Sequence, residues 1–357
     1  TMPVQASQLR NVDSRIIIET ERSFAPPLSE CCTALAGATA GDSTRFGRVF
    51  WEVRSSTIRS IWEFYLSSPQ GNHNYASREM VILWEKERGQ MQDLADNVKH
   101  LNHVAQNWRR GKPNWGKQGI AVSVVGQIPA TFYTGEIYDC SCCALVPNRP
   151  EHLSALCVFV ESGEYAKEVR KLDQKLIVTT ATLLKVPFDL AHWQKVAAEK
   201  YPHGLPKPFS SGPTQWFFNG HPAGADQPLQ VAVARLLGFQ WPRQTGSSFP
   251  DCPALGPDGL ESQADKDGIV CIPPVRGEAS AADRLLNLLA AAYTRETSHH
   301  QPPGVSPRLS SSAYDPNRLM GTEQPDANAL RLMGDEQPDK QPDANALRLM
   351  GDEQPDE

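Results

Sequence analysis

Apolar positions along the 357-residue chain change period several times, and each change marks an element. Residues 79–86 (Glu-Met-Val-Ile-Leu-Trp-Glu-Lys) are a short compact apolar run, the mark of a strand. Apolar residues then recur at Met91, Leu94, Val98, Leu101 and Val104/Ala105, the spacing of an amphipathic helix over 90–108. Residues 119–125 and 131–133 read as paired strands around Gly126, and 140–146 as the next strand. Helices follow over 150–160 and 162–172, the second with Ser162 as its N-cap. A strand returns at 176–178. Asp189 then caps a helix that runs to Lys200 and stops at Tyr201-Pro202. Upstream, Arg15-Ile-Ile-Ile-Glu within 13–24 reads as a strand, 28–40 is small and apolar around Gly37, and Phe50-Trp-Glu-Val opens a further element.

From 201 to 274 Pro, Gly and Ser become dense, with one helical island at 228–238; a second apolar helix is expected over 279–293. These patterns predict an α+β fold. Its parts are a ragged segment 1–27, a mixed α/β domain 28–190, a helical Pro/Gly-rich extension 191–293 and a disordered tail 294–357. The tail contains a 17-residue unit at 324–340 that repeats at 341–357 with Glu for the final Lys, after a degenerate copy at 315–323. Its apolar island Ala-Leu-Arg-Leu-Met is too short for a stable isolated helix, and flanking acids and prolines keep it solvated. A partner-binding linear motif and a neutral repeat expansion both fit it.

Charge changes this picture by its distribution. The formal net charge is −6, yet from Tyr314 onward there are 11 Asp/Glu against 4 Lys/Arg, which leaves 30 acidic and 31 basic residues in 1–313. The part expected to fold is therefore neutral. Within it, 97–135 contains no Asp or Glu but holds Lys99, Arg109, Arg110, Lys112 and Lys117, interleaved with Trp108, Trp115, Phe132 and Tyr133. Cations for a phosphate backbone and flat faces for bases are what nucleic-acid binding needs; an ordinary solvated loop beside a strand is the plainer reading.

Eight cysteines, no signal peptide and no membrane-length apolar run point to a cytoplasmic protein with free thiols and no membrane partner. Cys140-Ser-Cys-Cys143 invites a zinc site. Strand alternation, however, sends Cys140 and Cys142 to one face and Cys143 to the other, and no second Cys pair completes a tetrahedron. Buried structural thiols and no metal are expected. His100 and His103 lie three apart on the expected helix without a third ligand, and no G-x-S-x-G is present.

One order of motifs goes further. Gly41-Asp-Ser-Thr-Arg-Phe with Phe50-Trp-Glu-Val is followed by Lys112-Pro-Asn-Trp-Gly-Lys and Phe132-Tyr-Thr-Gly-Glu-Ile-Tyr-Asp. Then come 175–190, Gly204-Leu-Pro, Pro213-Thr-Gln-Trp, Gly268-Ile-Val-Cys-Ile-Pro and Gly277-Glu. In that order the chain resembles the C-terminal, target-recognition half of large adenine-N6 DNA methyltransferases of restriction-modification and phage-defence systems. Leu183-Leu-Lys-Val-Pro-Phe also resembles the boundary between recognition domain and spacer helix in type I specificity subunits. The resemblance implies double-stranded DNA as partner and S-adenosylmethionine as cofactor of the full enzyme, with none held by this chain.

Catalysis in such enzymes needs an (Asp/Asn/Ser)-Pro-Pro-aromatic motif, whose polar group holds the flipped adenine while the ring stacks on it. Here the Pro-Pro pairs in a comparable setting, Ala25-Pro-Pro-Leu and Ile272-Pro-Pro-Val, lack both flanking residues. No catalytic residue is therefore assigned. A catalytic part is expected before Thr1 or on a separate methylase chain; a remnant of a split gene is the alternative. An endonuclease would want a Pro-Asp…Glu-x-Lys cluster, and Pro338-Asp-Lys sits in the tail repeat. The resemblance implies phosphate contacts from Arg109, Arg110, Lys112 and Lys117, and places Trp115, Thr131 and Tyr133 near bases. Arg45, Arg48 and Arg59 form a second contact region, with Thr179, Thr180 and Lys185 near the module's end.

Overall fold

The 140s strand is apolar throughout because both of its faces are covered. The computed structural model describes residues 25–71, 74–246 and 254–294. In its first sheet β1 (Cys32–Ala36), β8 (Cys142–Pro147), β5 (Gly119–Ser123) and β6 (Ala130–Tyr133) lie side by side in that order, all antiparallel. Ile120 stands opposite Leu145 on one neighbour and Phe132 on the other. Alternate side chains feed two separate cores. Ile120, Val122, Cys143 and Leu145 pack under helices, while Ala121, Cys142, Ala144 and Val146 pack with Leu66, Tyr133 and Tyr138. A sheet covered on both faces reads as continuous apolar runs rather than alternation.

Cys142 and Cys143 thus point to opposite faces, as the strand period requires. The strand begins two residues later than expected because Asp139 Oδ1 accepts the Ser141 N–H at 2.8 Å in a tight turn that leaves Cys140 exposed.

The second sheet runs β2 (Gly47–Val49), β4 (Met80–Leu83), β3 (Trp62–Leu66), β7 (Ile137–Tyr138), with β3 and β7 parallel. β4 falls inside the expected 79–86 run; β3 carried no sequence reading. A buried ion pair locks the two sheets together. Arg78 Nη2 lies 2.7 Å from Glu136 Oε1 with both side chains fully buried. Arg78 also donates to the Phe132 and Ala76 carbonyls, and Glu136 accepts from Thr134 N and Oγ1.

Short helix α1 (Ser43–Phe46) precedes β2, and α2 (Gln90–Asn97) follows β4. The expected 90–108 helix ends at Asn97. Gln106 Nε2 reaches back to the carbonyls of Val98 and Lys99, and His103 Nδ1 accepts the Ala105 N–H, so side chains supply the partners a continuing helix would have provided. α3 (Leu153–Glu161) is buried from Ala155 to Val160, whereas α4 (Glu164–Leu172) buries Tyr165 and Val169 on one face. Ser162 closes α3 rather than capping α4. Gly163, at φ +78°, makes the left-handed corner between them, and the Ser162 hydroxyl accepts the Glu164 N–H.

The stretch expected as a strand at 176–178 makes only a single bridge, Ile177 to Val125, and then coils into α5 (Thr180–Leu184), capped by Thr179. Asp189 caps α6 (Leu190–Lys200) through the His192 N–H at 3.0 Å. α7 (Pro228–Leu236), α8 (Pro242–Thr245) and α9 (Ala281–Thr294) follow.

Packing draws no boundary at residue 190. Trp193 and Ala197 of α6 complete the core above the first sheet, and Trp216, Phe217 and Phe218 complete the core of Phe50, Phe64 and Val81 on the second. The expectations for 1–24, including the Arg15 strand, for Cys252 and for the tail beyond 294 lie outside the described residues.

Candidate nucleic-acid interface

Three indoles form the floor of the basic region. Trp84 at the end of β4 packs at 5.1 Å from Trp108 and at 5.3 Å, edge-on, from Trp115. The segment that carries Trp108 and Trp115 is a chain of short turns, Val104–Asn107 and Lys112–Asn114, rather than one helix, and Gly111 at φ +86° joins them. That glycine is obligatory, since a Cβ there would meet the Tyr138 hydroxyl at 2.7 Å. Asn114 anchors the segment by donating to the Ala144 carbonyl at 3.1 Å.

One cation stacks on this floor. The Arg109 guanidinium lies 4.4 Å from the centre of the Trp108 ring, and Arg110, Lys112 and Lys117 are exposed in the same segment. Residues 39–45 pack directly against it. Thr39 N–H donates to the Asn107 carbonyl, and Gly41 approaches Ala105 so closely that a Cβ would sit 2.8 Å from the Ala105 Cβ. Arg45 thereby comes to the base of α2, where it donates to Gln90 Oε1 at 2.8 Å. Of the second expected contact region, Arg45 is thus tied to the loop that docks on this segment. The Arg48 guanidinium is turned onto the Thr44 and Gly47 carbonyls at 2.6 Å.

The window without acids in sequence is not without acids in space. Glu87 folds onto it, with Oε1 2.7 Å from Lys112 Nζ and Oε2 2.8 Å from Arg109 Nη2. Its turn is unusual: Glu85, Lys86 and Glu87 have φ of 48°, 53° and 64°, the left-handed region, and none is glycine. Left-handed backbone costs roughly 1–2 kcal/mol per such residue, whereas half-exposed ion pairs contribute about 0–1 kcal/mol each. The ion pairs therefore do not hold the turn. It is held by the Trp84 and Glu85 N–H groups on the Ile61 carbonyl and by the Glu85 carboxylate on the Gln90 N–H at 2.8 Å. Gly89 makes room, since a Cβ there would lie 2.0 Å from Glu85 Oε2. No periodicity signals Glu87, because its role comes from a turn 22 residues upstream of Arg109.

Other expected contact residues lie elsewhere. Thr131 is 3% and Tyr133 1% exposed. The Thr131 hydroxyl accepts the Ala76 N–H and donates to the Asn74 carbonyl, and the Tyr133 hydroxyl donates to the Glu136 carbonyl at 2.8 Å. Both are interior groups of β6, so neither reaches a base. Thr179, Thr180 and Lys185 belong to α5 and its flanks, which pack through Leu183 into the core above the first sheet; Trp115 packs at the sheet's other face. The structure does not bring them to the basic region. Arg59 pairs with Glu63 at 2.7 Å.

A cavity of about 560 Å³ opens between β5, β6, α3 and the segment before α7, lined by Tyr75, Phe132, Leu205, Lys207 and Arg243 among others. It suits S-adenosylmethionine poorly. Its lining carries two cations and no carboxylate, so the sulfonium would meet like charge and the ribose hydroxyls no acidic partner. Burial pushes the Cys32 thiol up to about 12 and those of Cys142, Cys143 and Cys157 well above the ordinary range, which makes them poor nucleophiles. Among the described residues no three His, Cys, Asp or Glu side chains converge to hold a metal, and no helix is long and apolar enough to cross a membrane. Compared with known protein families and with curated proteins, the chain finds no match.

Proposed function

We propose that this chain is the sequence-recognition part of an adenine-specific (N6) DNA methyltransferase of restriction-modification or phage-defence type, binding duplex DNA in the cytoplasm. The observation that carries the reading is Arg109 stacked on Trp108 beside Trp84 and Trp115, with Lys112 paired to the same Glu87, Arg45 held on Gln90 nearby, and Arg110 and Lys117 exposed in the same segment. Cations on an aromatic base match a phosphate backbone and the bases beside it. The order of motifs from Gly41 to Glu278 supports it from the sequence side. Several of those motifs are scaffold: Gln215 of Pro213-Thr-Gln-Trp accepts the Arg78 N–H at 2.7 Å and donates to Glu79, and Trp216 is fully buried.

S-adenosylmethionine and the methyl transfer belong, in this reading, to a catalytic part carrying the Pro-Pro-aromatic motif, on this polypeptide or on a partner chain. Fluorescence anisotropy with duplex DNA, run beside a methyl-transfer assay, tests it. Expected are binding that weakens steeply with salt and no methyl transfer by this chain alone. Methyl transfer by the isolated chain would contradict the division of labour, and absence of binding at low salt would favour a remnant of a split gene.

A further inference from the structure

The Glu87 carboxylate occupies the place between two cations that a phosphate would take. Lys112 Nζ lies 2.7 Å from both of its oxygens and Arg109 Nη2 lies 2.8 Å from Oε2, charge-assisted contacts of the kind that phosphodiester oxygens make. The carboxylate is 21% exposed against 48% and 49% for its partners, so it sits beneath them and leaves their outer faces open. It is aimed there by a left-handed turn of Glu85, Lys86 and Glu87 that the Ile61 carbonyl and the Gln90 N–H hold in place.

We infer that Glu87 is an affinity-setting residue, a fixed negative charge that lowers the affinity of the basic face for any DNA backbone. The inference rests on the DNA-binding reading above. Phosphate contacts carry no sequence information and supply most of non-specific binding. A carboxylate that weakens them uniformly lowers the affinity for every duplex alike and leaves the ratio of specific to non-specific affinity unchanged. DNA engages Arg109 and Lys112 either by displacing Glu87 or by sharing the cations with it. In both cases one unit of favourable charge is cancelled.

The test compares the full chain with Glu87→Gln, which keeps the size and hydrogen-bonding capacity of the side chain. Anisotropy of a labelled duplex of about 30 base pairs of arbitrary sequence is followed from about 50 to 300 mM NaCl. Releasing one further counterion corresponds to roughly eightfold tighter binding near 0.1 M salt and a slope of log K against log salt steeper by about 0.9. Both are expected for Glu87→Gln, and both vanish when Arg109→Ala and Lys112→Ala are added. Unchanged or weaker binding by Glu87→Gln, with the circular dichroism and melting of the wild type, overturns the inference and makes Glu87 a support that holds the cations in place. If the Gln variant melts early, Glu87→Ala and Glu87→Lys are measured instead, and weaker binding by whichever of them folds overturns it equally. Failure of wild type and variants alike to bind any duplex at the lowest salt overturns the DNA-binding reading itself, and the inference with it.

Discussion

Tyr133 and Thr131 separate two meanings of a polar aromatic or hydroxyl residue beside a basic stretch. Both lie inside the acid-free window, yet their hydroxyls are spent inside the protein on the Glu136, Asn114 and Asn74 carbonyls. Tyr133→Phe should cost about 1–2 kcal/mol of stability by urea titration and leave duplex affinity of the folded protein unchanged. A large loss of affinity at equal stability would return the residue to the interface. The pair of Arg78 and Glu136 is legible only in three dimensions, since the residues are 58 apart in sequence and no local pattern links them. Glu136→Leu alone should destabilise by about 3–5 kcal/mol, because it strands a buried guanidinium, whereas adding Arg78→Met should recover much of that loss. A double variant whose loss equals the sum of the two single losses would mean that the pair is not coupled.

Elements with a single clear period were readable from the chain: β4, β5, β6, β8, α3, α6 and α7 all lie where apolar spacing puts them. Those that failed did so for local chemical reasons. The expected helix over 90–108 is cut at Asn97 by side-chain hydrogen bonds of Gln106 and His103, which a period of apolar residues does not register. β7 is two residues long and pairs in parallel with β3, a contact made by topology rather than by propensity.

α7 offers a test with a sign. Arg235, 3% exposed, is held by Asp258 through two hydrogen bonds at 2.7 and 2.9 Å. Burial alone would raise the Asp258 pKa, but the hydrogen bond from Arg235, the Leu260 N–H and the Arg235 charge together lower it. A carboxylate with a depressed folded-state pKa stabilises the protein above its unfolded pKa, and the contribution fades as pH falls through the folded value. Asp258→Asn should therefore cost about 3 kcal/mol at neutral pH, and the gap to wild type should narrow in urea titrations at about pH 3. A gap independent of pH would show that packing, not charge, is what the substitution removes.

At the scale of the whole molecule, a chain of net charge −6 can bind a polyanion if its charges are sorted in space. Arg109 and Lys112 meet at Glu87, and Arg45 is held on Gln90 beside the Gly41 loop that docks on Ala105, while acids such as Glu136 and Asp258 are consumed inside by Arg78 and Arg235. The sequence signalled this face through its acid-free window but could not display Glu87, which arrives from the preceding turn, nor the removal of Thr179, Thr180 and Lys185 to the other side of the first sheet.

The most direct measurement is the salt dependence of duplex binding by the full chain, wild type against Arg109→Ala/Lys112→Ala. Phosphate contacts from the basic face predict log K falling linearly with log salt at a slope of about −3, and a double variant whose slope is shallower by about 1.8. Binding that ignores salt, or a double variant with the wild-type slope, would contradict it.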